Sequence, residues 1–236
     1  MYSLLALLLL AVGYFVGSIP FGLLIGRMAG VDVRLKGSKN IGATNVNRVA
    51  GVKFGVLTLI CDVLKGSLPM LLTSLLLPEE YGDRELVIAL TGVMSVLGHM
   101  FSCFLGFKGG KGVATGLGVF LVLSPPAVGI SIAVFLVAVL VSGFVSLGSV
   151  LASGLLPIWL WILGAPRVVI GAAFLVALLI ILKHHENIRR LLNGKEKSWR
   201  GVPEEEKEEV ERREGDGDRR QPGNERRRAV DRRRRK

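Results

Sequence analysis

No charged side chain stands between Met1 and Gly26, and between Val113 and Leu182 only Arg167 is charged. A soluble domain does not carry neutral runs of that length. With half of its 236 residues hydrophobic and a mean hydropathy of +0.50, the chain reads as an all-α polytopic membrane protein. Cysteine is nearly absent. Cys61 and Cys103 both fall within or at the end of apolar runs, which excludes a disulfide framework, and no zinc-ligand spacing is present. There is no His-Glu-x-x-His and no surplus of carboxylates in the basic loops, so metal-assisted hydrolysis is disfavoured and no metal is expected. Ser38 has no nucleophile-elbow context, which argues against a Ser-His-Asp hydrolase. The N-terminus lacks a basic n-region and a small-x-small cleavage site. Its apolar run is also too long for a signal h-region, so it reads as a span rather than a cleaved leader.

Charge is abundant elsewhere, and its sign maps the topology. The net charge is +11, with 14 Lys/Arg and 7 Asp/Glu over residues 1–194 against 16 and 12 over 195–236. Met1–Gly26 is the first predicted span, kinked at Pro20. The loop 27–53 has six basic residues and one acid, Asp32, which puts it in the cytoplasm and the N-terminus outside. Phe54–Leu77 is the second span. It carries Asp62 and Lys65 at i,i+3, read as an ion pair with Asp62 also a secondary functional candidate. Acidic Pro78–Glu85 suits an outside loop, and Leu86–Phe107 returns as the third span. Breaks at Ser124-Pro125-Pro126, Ser142-Gly143 and Gly164-Ala165-Pro166 cut Val113–Lys183 into four segments. A basic cytoplasmic C-terminal region requires an even number of crossings there, so seven spans are expected in a domain covering 1–194. The segment Val113–Leu123 is short for a crossing. Residues 195–236 hold almost no apolar side chains and read as a disordered cytoplasmic tail. Their interspersed acids argue against a nucleic-acid partner.

Three polar clusters then fall on the cytoplasmic side. In Gly98–Thr115, an apolar run stops at Lys108-Gly109-Gly110-Lys111-Gly112 and another begins at once. Glycines uncover backbone N–H groups, a helix N-terminus adds orphan donors and partial positive charge, and two ammonium groups complete an anion site; His99 lies just upstream. The plain alternative is a cytoplasmic turn obeying the positive-inside rule. The second cluster, Gly37–Arg48, offers Ser38, Asn40, Thr44, Asn45 and Arg48 as hydroxyl, amide and guanidinium donors, with an ordinary Gly/Asn turn as its alternative. The third is Lys183-His184-His185-Glu186-Asn187-Ile188-Arg189-Arg190. If the last span continues as helix through it, His184 and Asn187 share a face. Together these groups suit a phosphate-bearing substrate and an oxyanion-forming reaction at the bilayer surface. A transporter of a phosphorylated metabolite is the rival, and the scarcity of charge within the spans counts against it.

The runs GSKNIGATNVNR, GHMFSCFLGFKGGKGVAT and KHHENIRR resemble, in order, the three signature motifs of the PlsY family of bacterial acyl-phosphate:glycerol-3-phosphate acyltransferases. The resemblance covers about residues 1–195 and includes Gly17–Gly22 and Asp62–Gly66. It implies acyl transfer from acyl phosphate to the 1-hydroxyl of glycerol 3-phosphate, giving lysophosphatidic acid and phosphate. It further implies seven helices in the bacterial inner membrane, an active site facing the cytoplasm, no cofactor and no obligatory protein partner. Ser38, Arg48, Lys111, His184 and Asn187 match the family's functional positions, and Gly109, Gly110 and Gly112 match its glycine loop. Ser38, His184 and Asn187 are thereby expected to be catalytic. Asn40, Thr44, Asn45, Arg48, His99, Lys108 and Gly109–Gly112 are expected to bind substrate phosphate. Lys39 stands where a glycine is common and His185 where an arginine is common, so neither is assigned a role.

Overall fold

The structure is a computed structural model that describes residues 2–200, and within those residues every regular element is helical. Met1–Glu196 form one compact unit. Most of the expected tail, residues 201–236, lies outside the described residues. The helices are α1 (Tyr2–Ser18), α2 (Phe21–Met28), α3 (Ala43–Ala50), α4 (Val52–Leu76), α5 (Arg84–Met100), α6 (Val113–Leu123), α7 (Pro125–Ser142), α8 (Val145–Ile162), α9 (Arg167–Lys183) and α10 (His185–Leu192).

Among the described residues, five stretches are long and apolar enough to cross a membrane: Ser3–Met28, Val52–Leu76, Arg84–Leu105, Pro125–Ser142 and Val145–Ile162. A sixth is reached if α9 and α10, bent by 58° at His184, are counted as one. α6 has 11 residues, about 16 Å at the helical rise, against a hydrocarbon core of about 30 Å. The chain breaks at Pro20, Ser124, Gly143 and Gly164–Pro166 agree with the helix ends. Two boundaries differ by more than two residues. α5 stops at Met100 rather than Phe107, because the chain turns back there, through a short 3-10 turn at Cys103–Leu105, to hydrogen-bond its own last turn. The helix expected to run on through residue 187 instead bends at His184.

Burial is inverted relative to a soluble protein. Leu7, Leu75, Val141, Trp161 and Phe174 face outward, whereas Ser18, Thr58, Asp62, Lys65, Thr91, Ser95, His99 and Thr115 are buried. Helices meet through backbone at small residues. A Cβ at Gly17 would collide with the Ser95 carbonyl, and one at Gly98 with that of Tyr14, so α1 and α5 touch main chain to main chain. Gly66 against Thr115 and Gly118 against Val63 join α4 to α6 in the same way. Pro20 restricts Ile19 and ends α1. The Ile19 carbonyl left at that break accepts a 2.9 Å hydrogen bond from Lys65 Nζ, which also lies 2.9 Å from Asp62 Oδ1; His99 Nδ1 is 3.6 Å from the same oxygen. The ion pair read from the i,i+3 spacing is therefore part of a buried three-residue cluster.

Candidate active site

Asn45 organises the first wall. It is buried on α3, and its Nδ2 donates to the carbonyls of Val33, Lys36 and Asn40 at 2.9, 3.2 and 2.8 Å. Its Oδ1 accepts the Ser38 N–H at 2.7 Å. The Asn45 amide, expected to contact phosphate, is engaged here with the 33–42 loop, which it positions. Gly37, at φ +65°, passes directly beneath that amide, where a Cβ would strike Asn45 Oδ1. Asn40 likewise turns inward, accepting the Gly42 N–H at 2.8 Å in the turn that starts α3. What the wall presents outward is Ser38, Thr44 and Arg48, all exposed.

The second wall is a strapped loop. Tyr14 Oη donates to the Phe101 carbonyl (2.8 Å), Ser102 Oγ to that of Ser18 (2.5 Å), and Lys183 Nζ to that of Met100 (3.0 Å). The Gly109 and Gly110 N–H groups bond the Met100 and His99 carbonyls at 3.2 and 3.0 Å. Those two amides, expected to meet phosphate, have backbone partners here. The close approach also explains why glycine is required: a Cβ on Gly110 would strike the His99 ring. His99, expected to bind phosphate, is 3% exposed here, with its Nδ1 facing Asp62. Gly112, at φ +82°, then reverses the chain into α6. Of the two lysines, Lys108 stays exposed while Lys111 is drawn in, its Nζ donating to Asn187 Oδ1.

The third wall is the bend at His184. His184 Nδ1 lies 2.7 Å from the Ile180 carbonyl, which can only accept, so Nδ1 carries the hydrogen and Nε2 keeps a free lone pair. Burial, aided by the Lys111 charge, lowers the His184 pKa to about 4, leaving a neutral imidazole at neutral pH. One turn on, buried Asn187 accepts from Lys111 and donates Nδ2 to Glu196 Oε1 at 2.6 Å; Arg190 Nε donates to Glu196 Oε2 at 2.7 Å. Burial raises the Glu196 pKa, but the bonds from Asn187 and Arg190 outweigh it and leave the carboxyl below its usual range. Burial lowers Lys111 to about 8; the Arg190 and Arg48 charges deepen that shift, and Glu196 and Glu186 oppose it. Lys111, Arg48 and Arg190 therefore belong to one electrostatic neighbourhood.

Arg190, a member of the third polar cluster, and Glu196 have no role assigned from the sequence alone. Arg190 was legible in principle, three residues from Asn187 on the same helical face. Glu196 falls in the segment 195–236 that reads as a disordered tail, and nothing local to it signals the contact. Among the described residues no three His, Cys, Asp or Glu side chains converge as metal ligands.

Residues 7–194 match the family model described as glycerol-3-phosphate acyltransferase. The glycerol-3-phosphate acyltransferase of Desulfotalea psychrophila is 63% identical over 189 residues, covering 80% of this chain and 95% of that protein. That of Geobacter sulfurreducens is 45% identical over 194 residues, covering 82% and 97%. The crystal structure of PlsY, an integral membrane glycerol 3-phosphate acyltransferase, in its glycerol 3-phosphate form superposes with a TM-score of 0.77 at 44% identity, covering 82% of this chain and 95% of that one.

Proposed function

Because this chain belongs to the glycerol-3-phosphate acyltransferase family and is an integral membrane acyltransferase of lipid biosynthesis, we propose that it transfers an acyl group from acyl phosphate to the 1-hydroxyl of glycerol 3-phosphate. The products are lysophosphatidic acid and inorganic phosphate. The observation that carries this reading is Lys111, drawn from solvent onto Asn187 at the foot of α6, with Arg48 and Arg190 close enough to perturb it. Three cations beside an apolar helix suit two phosphate-bearing substrates, one of which keeps its chain in the bilayer.

Lys111 and Arg48 hold phosphate, with Ser38, Thr44 and the first turn of α6 as further donors. Lys108, exposed, draws the anions in. His184 Nε2 accepts a hydrogen bond from the glycerol moiety and orients it, and Asn187 fixes Lys111. The glycerol oxygen bonds to the acyl carbon, the bond from that carbon to the phosphate oxygen breaks, and phosphate leaves. A base of pKa about 4 is too weak to carry the proton at neutral pH, so a phosphate oxygen of the donor takes it. Acyl phosphate has a good leaving group, and positioning with charge stabilisation is sufficient.

The basic loop 27–53 and the chain after Lys183 face the cytoplasm, the N-terminus lies outside, and the site opens inward in the bacterial inner membrane. α6, shielded by α4 and α9, completes seven crossings. Residues 195–236 follow this domain as a charged tail, with no obligatory protein partner. The test is phosphate release by purified protein given acyl phosphate. Release that does not depend on glycerol 3-phosphate would defeat the reading.

A pH profile follows from Lys111. The ammonium form binds anions, and its pKa is lowered to about 8, so kcat/KM is expected to hold at neutral pH and fall as pH rises through about 8. Phosphate bound beside Lys111 stabilises the charged form, so kcat should hold to a higher pH than kcat/KM. A flat kcat/KM from pH 7 to 9.5 would contradict an essential Lys111 ammonium.

A further inference from the structure

Glu196 occupies donors that a phosphate would use. Its two carboxylate oxygens are taken separately by Asn187 Nδ2 and Arg190 Nε, at 2.6 and 2.7 Å, and its side chain is 7% exposed. Asn187 and Arg190, three residues apart on α10, thus make a fork closed on an anion, with Lys111 on the other side of the same amide. The contact is built in. At the end of α10 the Gly194 N–H bonds the Leu191 carbonyl and the Lys195 N–H that of Arg190, with Gly194 at φ +65°. This left-handed helix stop folds the chain back so that residue 196 returns over residues 187 and 190. Glu196 also lies past the 7–194 match to the family.

A carboxylate and a phosphate offer the same paired acceptor oxygens to such a fork. While Glu196 is seated, those donors are filled and a negative charge faces any incoming phosphate. We propose that the Asn187–Arg190 fork is a phosphate seat and that Glu196 is its resident competitor, a residue that sets KM by having to be displaced. This rests on the acyltransferase reading above. The phosphate comes from glycerol 3-phosphate or from the acyl donor, and separate saturation curves tell which. If Glu196 were instead a strut holding Asn187 in place, its loss would lower kcat.

The experiment compares full-length Glu196→Gln, Glu196→Ala and Gly194→Val with the parent. The first two remove the charge, and the third disrupts the turn that delivers it. Phosphate release is followed while each substrate is varied at saturating levels of the other. Apparent affinity scales with the fraction of open seat, so KM for one substrate is expected to fall about fivefold or more, with kcat within about twofold, in all three variants. Inorganic phosphate is also titrated by its protection of each protein against heating, and it should bind correspondingly tighter to Glu196→Gln. Unchanged KM for both substrates, or a lower kcat at constant KM, overturns the proposal. The two readings fail separately. A parent without glycerol 3-phosphate-dependent release loses the proposed reaction, while equal phosphate protection of parent and Glu196→Gln still rejects the competitor.

Discussion

Replacing Lys111 by methionine is expected to lower kcat/KM for glycerol 3-phosphate by about 10²–10³-fold, the usual cost of deleting one preorganised donor at developing negative charge. Methionine has nearly the same length and is at home in an apolar site, so the substitution removes the charge and leaves the packing. Two features make this the most sensitive position. The loop that carries Lys111 is strapped from α1 and α9 by Tyr14, Ser102 and Lys183, so the ammonium is placed without reorganisation. Its partner Asn187 is itself buried at the start of α10, where it accepts the Lys111 hydrogen bond. Lys111→Arg should not restore full activity, because a planar guanidinium cannot take the place of a compact ammonium in so confined a position. A Lys111→Met protein with unaltered melting temperature and activity within about tenfold of the parent would remove Lys111 from the centre of the mechanism.

Asp62→Ala carries the largest expected effect on stability, a loss of about 3–5 kcal/mol, because it strands a buried cation. Asp62 and Lys65 are each 2% exposed at the side chain. Without the carboxylate, Lys65 retains the Ile19 carbonyl and the face of the Phe21 ring but no counter-charge, and burying an ammonium so partnered is costly within a membrane. The loss should appear as a large fall in melting temperature in detergent. Combining Asp62→Ala with Lys65→Met should recover much of it, since no charge is then stranded. If the single variant melts with the parent, the cluster does not hold the structure together. Activity should fall with stability, because His99 of this cluster backs Gly110, whose N–H bonds the His99 carbonyl.

Much of this architecture was legible because it is written in single residues. Pro20, Ser124-Pro125 and Gly143 end helices by local backbone chemistry, and the neutral runs between them have no other home than a membrane. The three polar clusters could be read for the same reason: each is a short stretch whose donors are contiguous in the chain. Which donors face substrate could not be read, because that depends on partners far away in sequence. Asn45, Gly109 and Gly110 have the chemistry of anion binding, yet their hydrogen bonds go to backbone groups of their own loops. The surroundings of His99 are hidden from the sequence for a similar reason, since its partner Asp62 belongs to another helix. Glu196 lay beyond local reasoning altogether, and only the turn at Gly194 brings it back to Asn187.

The main-chain contacts at Gly17–Ser95, Gly98–Tyr14, Gly66–Thr115 and Gly118–Val63 bear on how such a protein lives with its surroundings. On the reading above, it makes a precursor of the very lipids that solvate it, so the thickness and fluidity of its medium shift with its own output and with growth temperature. Helices held apart by long side chains can slide and tilt as that medium changes. Helices seated backbone on backbone have no compressible layer between them. The strapped loop between α5 and α6 is carried by two such joints, so the distance from Lys111 to its neighbours is insulated from the composition of the bilayer.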